Sequence, residues 1–269
     1  MPELPEVETT LRGLEPHCLN RSIIQIDINQ PKLRWPIPPQ IQLLKNARIT
    51  AMQRRAKYLI MSTDKGHMIW HLGMSGSMRL LPNQDPGVKH EHVKITFENK
   101  TSLRYRDPRR FGALLLTHDD PLLHPLISPL GPEPLSEDFH ADYLWQQCKN
   151  RKTAIKNVIM HSHIVVGVGN IYACESLFMS GINPKTSALR ISRKRIQALV
   201  EAIKMVLQQA IEQGGTTLKD FTQSDGKPGY FTQSLKVYAN AQNCVQCGHA
   251  IKRITQGQRT TYYCPSCQH

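Results

Sequence analysis

Four of the chain's seven cysteines fall in its last 26 residues, as Cys244-x2-Cys247, sixteen intervening residues, then Cys264-x2-Cys267. Two knuckles at this spacing can close a tetrahedral thiolate site, the geometry zinc prefers under reducing conditions. Residues 251–254 and 260–263 read as the two strands of a hairpin between them. So small a module cannot fold by burial alone, so one structural zinc ion per chain must supply its stability. Four cysteine ligands leave no position open for a water. The alternative, four unrelated thiols, leaves the paired spacing unexplained. Lys252, Arg253 and Arg259 make the module basic, and Cys18, Cys148 and Cys174 read as small apolar core residues.

A basic finger raises the question of an acidic partner. Lys and Arg outnumber Asp and Glu by 34 to 21, a formal charge of +13. That surplus favours a polyanion, with nucleic acid the commonest, although a basic protein without acidic ligand has the same charge. No run approaches the ~18 apolar residues of a membrane span, so no membrane association is expected. The opening Met-Pro-Glu-Leu-Pro-Glu lacks the basic-then-apolar pattern of an export signal. A cytoplasmic, nucleoid-associated location is the expectation.

Residues 5–15 read as a short helix with Pro5 at its first position and Glu6 and Glu8 in its first turn, where the dipole favours acids. From Ile23 to about Leu116 the texture is that of strands. Runs such as Tyr58-Leu-Ile-Met61, His92-Val-Lys-Ile-Thr-Phe97 and Ser102-Leu-Arg-Tyr105 lie between Gly, Asn and Pro turns, predicting a sandwich or barrel. A proline-rich stretch over 121–134 reads as a linker. Beyond it the period is helical. Ser136 is the expected cap of a helix carrying Phe139, Tyr143 and Leu144. Ser192 caps a longer one with the stripe Ile196, Leu199, Val200, Ile203, Leu207, Ala210 and Ile211, ended by Gly214-Gly215.

Lys152-Thr-Ala-Ile-Lys156 and Val165-Val-Gly-Val-Gly-Asn170-Ile-Tyr read as two helices joined by glycine-rich turns. Backbone N–H groups at such a helix start suit a phosphate, while Gly-x-Gly turns also serve packing alone. Residues 224–230 read as a surface turn or a mobile lid. At the N-terminus, removal of Met1 would expose the secondary amine of Pro2. An α-amine titrates below a lysine, so more of it is neutral and nucleophilic near pH 7. Attack of a secondary amine on a sugar C1′ gives a charged iminium, an electron sink for elimination. Glu3 could act as the acid or base. Plain helix-capping chemistry accounts for the same residues.

Taken together, Met1-Pro-Glu-Leu-Pro-Glu-Val-Glu8, His71-Leu-Gly-Met-Ser-Gly76, Asp107-Pro-Arg-Arg-Phe-Gly112, Gly167-Val-Gly-Asn-Ile-Tyr172 and the four-cysteine finger resemble the formamidopyrimidine-DNA glycosylases in order and spacing, from the first residue to the last. The resemblance implies an α+β chain: an N-terminal helix plus β-sandwich over 1–120, a linker over 121–135, a helix-two-turns-helix DNA-binding domain over 136–234 and a zinc finger over 235–269. It implies a monomer that binds damaged double-stranded DNA in a cleft and excises oxidised purines, 8-oxoguanine and formamidopyrimidines, before cutting the strand by β,δ-elimination. Pro2 would be the Schiff-base nucleophile, Glu3 the acid/base, Lys57 the proton carrier in β-elimination and Arg259 the finger arginine of δ-elimination. Glu6 would position the amine. Met74, Arg109 and Phe111 would fill the hole left by the flipped nucleotide. His90, Arg151, Lys152, Lys156, Asn170 and Arg259 would bind backbone around the lesion, with the contact near 150–152 unassigned because Asn150 stands where a lysine often does. Lys57 also reads as an ordinary basic strand residue, and Met74 and Phe111 as core. Two rivals remain: the sister endonuclease VIII, specific for oxidised pyrimidines, which Leu4, Val7 and the Met74/Arg109/Phe111 set disfavour, and a non-catalytic zinc protein that only binds DNA.

Overall fold

Short strands within the first 120 residues build two antiparallel sheets. The computed structural model describes residues 2–216, 229–239 and 243–269. It separates into two compact units, Met1–Ser128 with Gln213–Tyr230, and Pro129–Glu212 with Phe231–His269.

The first unit opens with α1 (Leu4–Cys18), which buries Leu4, Val7, Leu11, Leu14 and Cys18 on one face. Glu3 is its N-cap, and Glu3 N donates to Glu6 Oε2 at 2.7 Å in a capping box. The helix outlasts the expected 5–15. Pro16 lacks one N–H in the last turn, but Leu19 N still donates to Glu15 O at 2.9 Å, so the turn survives. One sheet has the order β1 (Ile23–Ile28), β6 (Glu91–Phe97), β7 (Thr101–Arg106), β5 (Ser77–Pro82). The other has β2 (Ile49–Arg55), β3 (Tyr58–Thr63), β4 (Gly66–His71), β8 (Ala113–Thr117). One core joins their inner faces. Ile26, Phe97, Leu103 and Tyr105 come from the first sheet, and Met52, Met61, Trp70 and Leu114 from the second. The Trp70 and Tyr105 rings stand 5.4 Å apart. Two sheets sharing a core make a sandwich, not a closed barrel. On the outer face of the second sheet, Ile60 and Ile69 pack against Ile127 from the proline-rich stretch.

The second unit contains α2 (Ala141–Cys148), α3 (Ile155–Ile159), α4 (Asn170–Met179) and α5 (Arg193–Glu212). Ser192 caps α5 as expected, its Oγ accepting from Arg195 N at 3.4 Å, and the whole predicted stripe is buried. Gly214 and Gly215, at φ +75° and +81°, follow its end. The cap assigned to Ser136 is a correction. Its hydroxyl is spent on Glu133 O at 2.9 Å, and the helix begins five residues later, where His140 Nδ1 accepts from Tyr143 N. Phe139, ahead of that helix, is nevertheless fully buried. The finger hairpin is β9 (Lys252–Gln256) and β10 (Arg259–Tyr263), turning at Gly257 and Gln258, both at positive φ. Cys18, Cys148 and Cys174 are buried in three different apolar clusters. Burial pushes the Cys18 thiol up to about 12 and that of Cys148 to about 11, as inert core thiols require.

Residues 213–216 and 229–230, read from sequence as part of the helical domain, instead cluster with the first unit. Thr216 N donates to Glu6 Oε1 at 2.8 Å, and Tyr230 N to Gln213 O at 3.0 Å. A Cβ on Gly215 would come within 3.1 Å of Glu6 Oε1, so this glycine allows the close approach that the bond needs.

Candidate active site and metal centre

At the N-terminus the fold gathers three predicted site residues. Pro2, Glu3 and Glu6 are all buried, with Glu3 2% and Glu6 1% exposed. Glu6 bridges two segments, one carboxylate oxygen taking the Glu3 N–H and the other that of Thr216. Charge-assisted bonds of this kind hold the residue after Pro2 in a fixed place. Met1 lies outside the described residues, as do residues 224–228 of the expected lid.

The next set arises from topology. β4 leaves the second sheet for β5 in the first through residues 72–76, and β7 returns to β8 through 107–112. His71 pairs with Ala113 and Ser77 with Arg106, so both crossovers emerge at the same end of the sandwich. They stack backbone on backbone: a Cβ on Gly73 would lie 2.4 Å from Phe111 C and Gly112 N. Only glycine permits that approach, and Gly73 also sits at φ +67°. The stacking projects Met74, Arg109 and Phe111 from adjacent loops. Met74 is 37% and Phe111 46% exposed, which removes the reading of either as core, and the Arg109 guanidinium stands 5.1 Å from the Phe111 ring centroid. An exposed apolar pair beside a cation is suited to enter a stack of bases.

Lys57 is not a strand residue. It occupies the two-residue turn between β2 and β3, after Ala56 at φ +55°, half-buried. It raises the local potential at His71, whose imidazole is driven down to about 4 by burial first and then by Lys57 and Arg34. His71 Nδ1 accepts from Gly73 N at 3.0 Å, which assigns the neutral ring with its proton on Nε2. His71, Arg34, Met74, Arg110 and Phe111 line a cavity of about 540 Å³. Because the folded pKa lies below the unfolded value, the unfolded chain takes up the proton first as pH falls. Stability is therefore expected to be complete above about pH 6.5 and lost progressively toward pH 4. Thermal unfolding across that range should be flatter for His71→Gln than for the parent.

In the second unit the glycine-rich turn delivers Asn170 to the first position of α4, after the N-cap Gly169. Its amide is fully engaged: Oδ1 accepts from Lys156 Nζ at 2.5 Å, and Nδ2 donates to Thr260 O at 2.8 Å and to Tyr238 OH at 3.3 Å. Lys156 is fully buried, donating also to Thr261 Oγ1 at 2.7 Å. It therefore ties α3, α4 and the finger together instead of standing as a free surface charge. Arg151 and Lys152 are exposed at the start of the α2–α3 segment, and Arg259 is exposed where the finger hairpin turns. His90, at φ +72°, is half-buried beside Lys89, Arg106 and Arg110, and burial and those cations depress its pKa.

The four finger cysteines fit a zinc ion. Their Sγ atoms lie within 4.8 Å of one another, with Cys244–Cys267 at 3.8 Å and Cys247–Cys264 at 3.4 Å. Four sulfurs about 2.3 Å from a tetrahedral zinc stand about 3.8 Å apart. Main-chain and side-chain bonds shape the knuckles: Gly248 N donates to Cys244 O, and Gln268 Oε1 accepts from Cys264 N at 2.8 Å.

Comparison with known proteins decides the family. Residues 1–114 match the model of the formamidopyrimidine-DNA glycosylase N-terminal domain, 130–222 that of its H2TH domain and 242–269 that of a zinc finger found in FPG and IleRS. The chain belongs to the formamidopyrimidine-DNA glycosylase family. It is 52% identical to the formamidopyrimidine-DNA glycosylase of Alcanivorax borkumensis and 54% to that of a Marinomonas species, over the full length of each pair. Among solved structures it superposes on a Lactococcus lactis mutant enzyme holding Fapy-dG-containing DNA (TM-score 0.93, 33% identity, 99% of each chain) and on the Thermus thermophilus protein (0.89, 34%, 99% and 98%). It is thus a DNA glycosylase of base excision repair. Among the described residues no helix is long and apolar enough to cross a membrane.

Sequence reasoning assigned no role to several residues that order these family sites. Glu175 is buried and accepts three backbone N–H bonds from Lys236, Val237 and Tyr238, which seats the Tyr238 hydroxyl beside Asn170. Its only sequence signal was a carboxylate on an apolar helix, between Cys174 and Leu177. Asp107 and His71 were visible inside quoted motifs, but nothing local showed which groups would meet them.

Proposed function

We propose that this glycosylase is bifunctional, excising oxidised purines through a covalent link to Pro2 and then cutting the strand. The carrying observation is the buried Pro2-Glu3 pair, fixed through Glu6 at the head of α1. The Pro2 nitrogen attacks C1′ as the N-glycosidic bond breaks, and the base leaves with the bonding electrons and a proton. Glu3 is placed one residue away to give or take that proton. The attacking amine gives up its own proton, the C1′–O4′ bond opens with O4′ taking a proton, and the secondary amine is left as a cationic iminium. The iminium acidifies C2′; loss of the C2′ proton expels the 3′ phosphate, and a second elimination expels the 5′ phosphate. Lys57 and Arg259 serve those eliminations. Glu6 keeps the amine in place. Arg151, Lys152 and His90 hold the DNA backbone with their side chains and Asn170 with its main-chain N–H at the start of α4, Lys156 fixing the Asn170 amide. Met74, Arg109 and Phe111 occupy the gap, recovering part of the few kcal/mol that flipping costs. Zinc, held by Cys244, Cys247, Cys264 and Cys267, orders the hairpin that carries Arg259 and takes no part in the chemistry.

Relatives support the ligand class. Lactococcus lactis enzymes have been solved with DNA containing Fapy-dG and with DNA containing an abasic site. Another complex holds an oxidised pyrimidine, so selectivity and not bare acceptance separates the purine reading from the endonuclease VIII reading. Single-turnover excision of 8-oxoguanine opposite cytosine is expected to exceed that of thymine glycol at least tenfold. Borohydride should trap a protein–DNA adduct on the preferred substrate. Equal or reversed rates would favour the pyrimidine enzyme, and no adduct would leave a protein that only binds DNA.

A further inference from the structure

Asp107 is fully buried between the two crossover loops. Its carboxylate satisfies donors from three directions: Ser75 Oγ at 2.6 Å on Oδ1, and Gly112 N at 2.8 Å and Tyr105 OH at 3.1 Å on Oδ2. Its carbonyl accepts from His92 Nε2 at 2.8 Å. Ser75 is itself 3% exposed and stands next to Met74. While its hydroxyl donates to Asp107, the same oxygen accepts from Arg109 N at 3.2 Å. One buried hydroxyl thus joins the loop of Met74 to the backbone of Arg109, and one buried carboxylate orients that hydroxyl.

We propose that the Asp107–Ser75 pair is a positioning device for discrimination of the base opposite the lesion, acting through the backbone of Arg109. The inference rests on the reading that Arg109 faces that base. An arginine offers only donors, which suit the O2 and N3 acceptors of cytosine and not the amino group of adenine. Such discrimination survives only if the guanidinium arrives where those acceptors lie. Arg109 is exposed, and the Phe111 ring that its guanidinium faces at 5.1 Å is itself 46% exposed, a weak constraint on the side chain. Its backbone is fixed instead, from Ser75. A buried hydrogen-bonded pair is stiffer than a loop held by solvent-exposed bonds, because breaking it strands polar groups away from water.

The test is single-turnover excision of 8-oxoguanine opposite cytosine and opposite adenine, in the parent, Ser75→Ala, Asp107→Asn and Arg109→Ala, with thermal unfolding of each. Ser75→Ala removes both links while changing little volume, so it keeps the test open should Asp107→Asn fail to fold. The expected result is a cytosine-over-adenine ratio at least fivefold lower in Ser75→Ala, approaching that of Arg109→Ala, with the chain still folding cooperatively and its unfolding temperature lowered only by the loss of one buried donor. Equal slowing on both pairings would mark a merely structural pair and overturn the proposal. A full ratio in Ser75→Ala beside a lost ratio in Arg109→Ala would overturn it too, leaving the role of Arg109 intact. A full ratio in Arg109→Ala would remove the underlying reading, and the proposal with it.

Discussion

A residue kept permanently ahead of Pro2 is expected to abolish borohydride trapping and to lower excision by several orders of magnitude, while DNA binding stays within a few-fold of the parent. The amine is the reason. Converting it to an amide removes its nucleophilic lone pair, and no nearby lysine replaces it on equal terms, since an ε-amine titrates about two to three units higher and is largely protonated near neutrality. The phosphate contacts proposed above fall to side chains such as Lys152, Arg151 and Arg259, none of which the extension changes. Glu3 and Glu6 remain tethered in the extended chain because their bonds run to Glu3 N and Thr216 N, not to the terminal amine. The measurement compares trapping, single-turnover excision and binding for the processed and extended proteins. Undiminished trapping in the extended protein would transfer the nucleophile to a lysine and refute the role of Pro2.

Cys264→Ser should reduce bound zinc from about one ion per chain to nearly none and weaken DNA binding at least tenfold. Cys264 is fully buried and packs with Cys174, Phe178, Val237 and Cys244, so its loss opens the finger where it meets α4. The damage then spreads along named bonds. Thr261 gives up Lys156 Nζ, and Thr260 O gives up the Asn170 amide, which leaves a buried ammonium short of an acceptor. A hydrogen bond to a charged group contributes about 1.5–3 kcal/mol, and each 1.4 kcal/mol lost in binding is tenfold in affinity. The sandwich has its own core and sheets within the first unit, so its unfolding transition should persist. Zinc by atomic absorption, binding by titration and tryptophan-monitored unfolding check the three statements. Full metal content in the variant would refute the four-cysteine assignment.

Local pattern in the sequence determined a good part of this protein. The x2 spacing of Cys244/Cys247 and Cys264/Cys267 needs only a knuckle turn on each side to bring four sulfurs together. The stripe from Ile196 to Ile211 needs only the 3.6-residue period to define one buried face. The strands at 58–63, 91–97 and 101–106 were legible for the same reason: their information lies within a few residues of backbone. The family motifs carried more, because five short segments in one order specify an architecture that no single segment does.

What the tertiary structure alone decided were the meetings of distant groups. Glu6 and Thr216 stand 210 positions apart, Lys156 and Thr261 stand 105 apart, and Ser75 and Asp107 stand 32 apart. Lys156, expected from the family resemblance to bind the DNA backbone, is wholly buried, since α4 and the finger hairpin close over it. Ser136 has every local qualification for an N-cap, yet Glu133 O takes its hydroxyl and the helix waits for His140. Asp107 is one carboxylate in a polar motif until two crossover loops and strand β7 close around it and supply three donors. Sequence encodes which backbone conformations are cheap and which face is apolar. Whether a polar side chain ends in water or in a bonded, buried cluster depends on which other strands and loops the chain brings to it, and that depends on the whole fold.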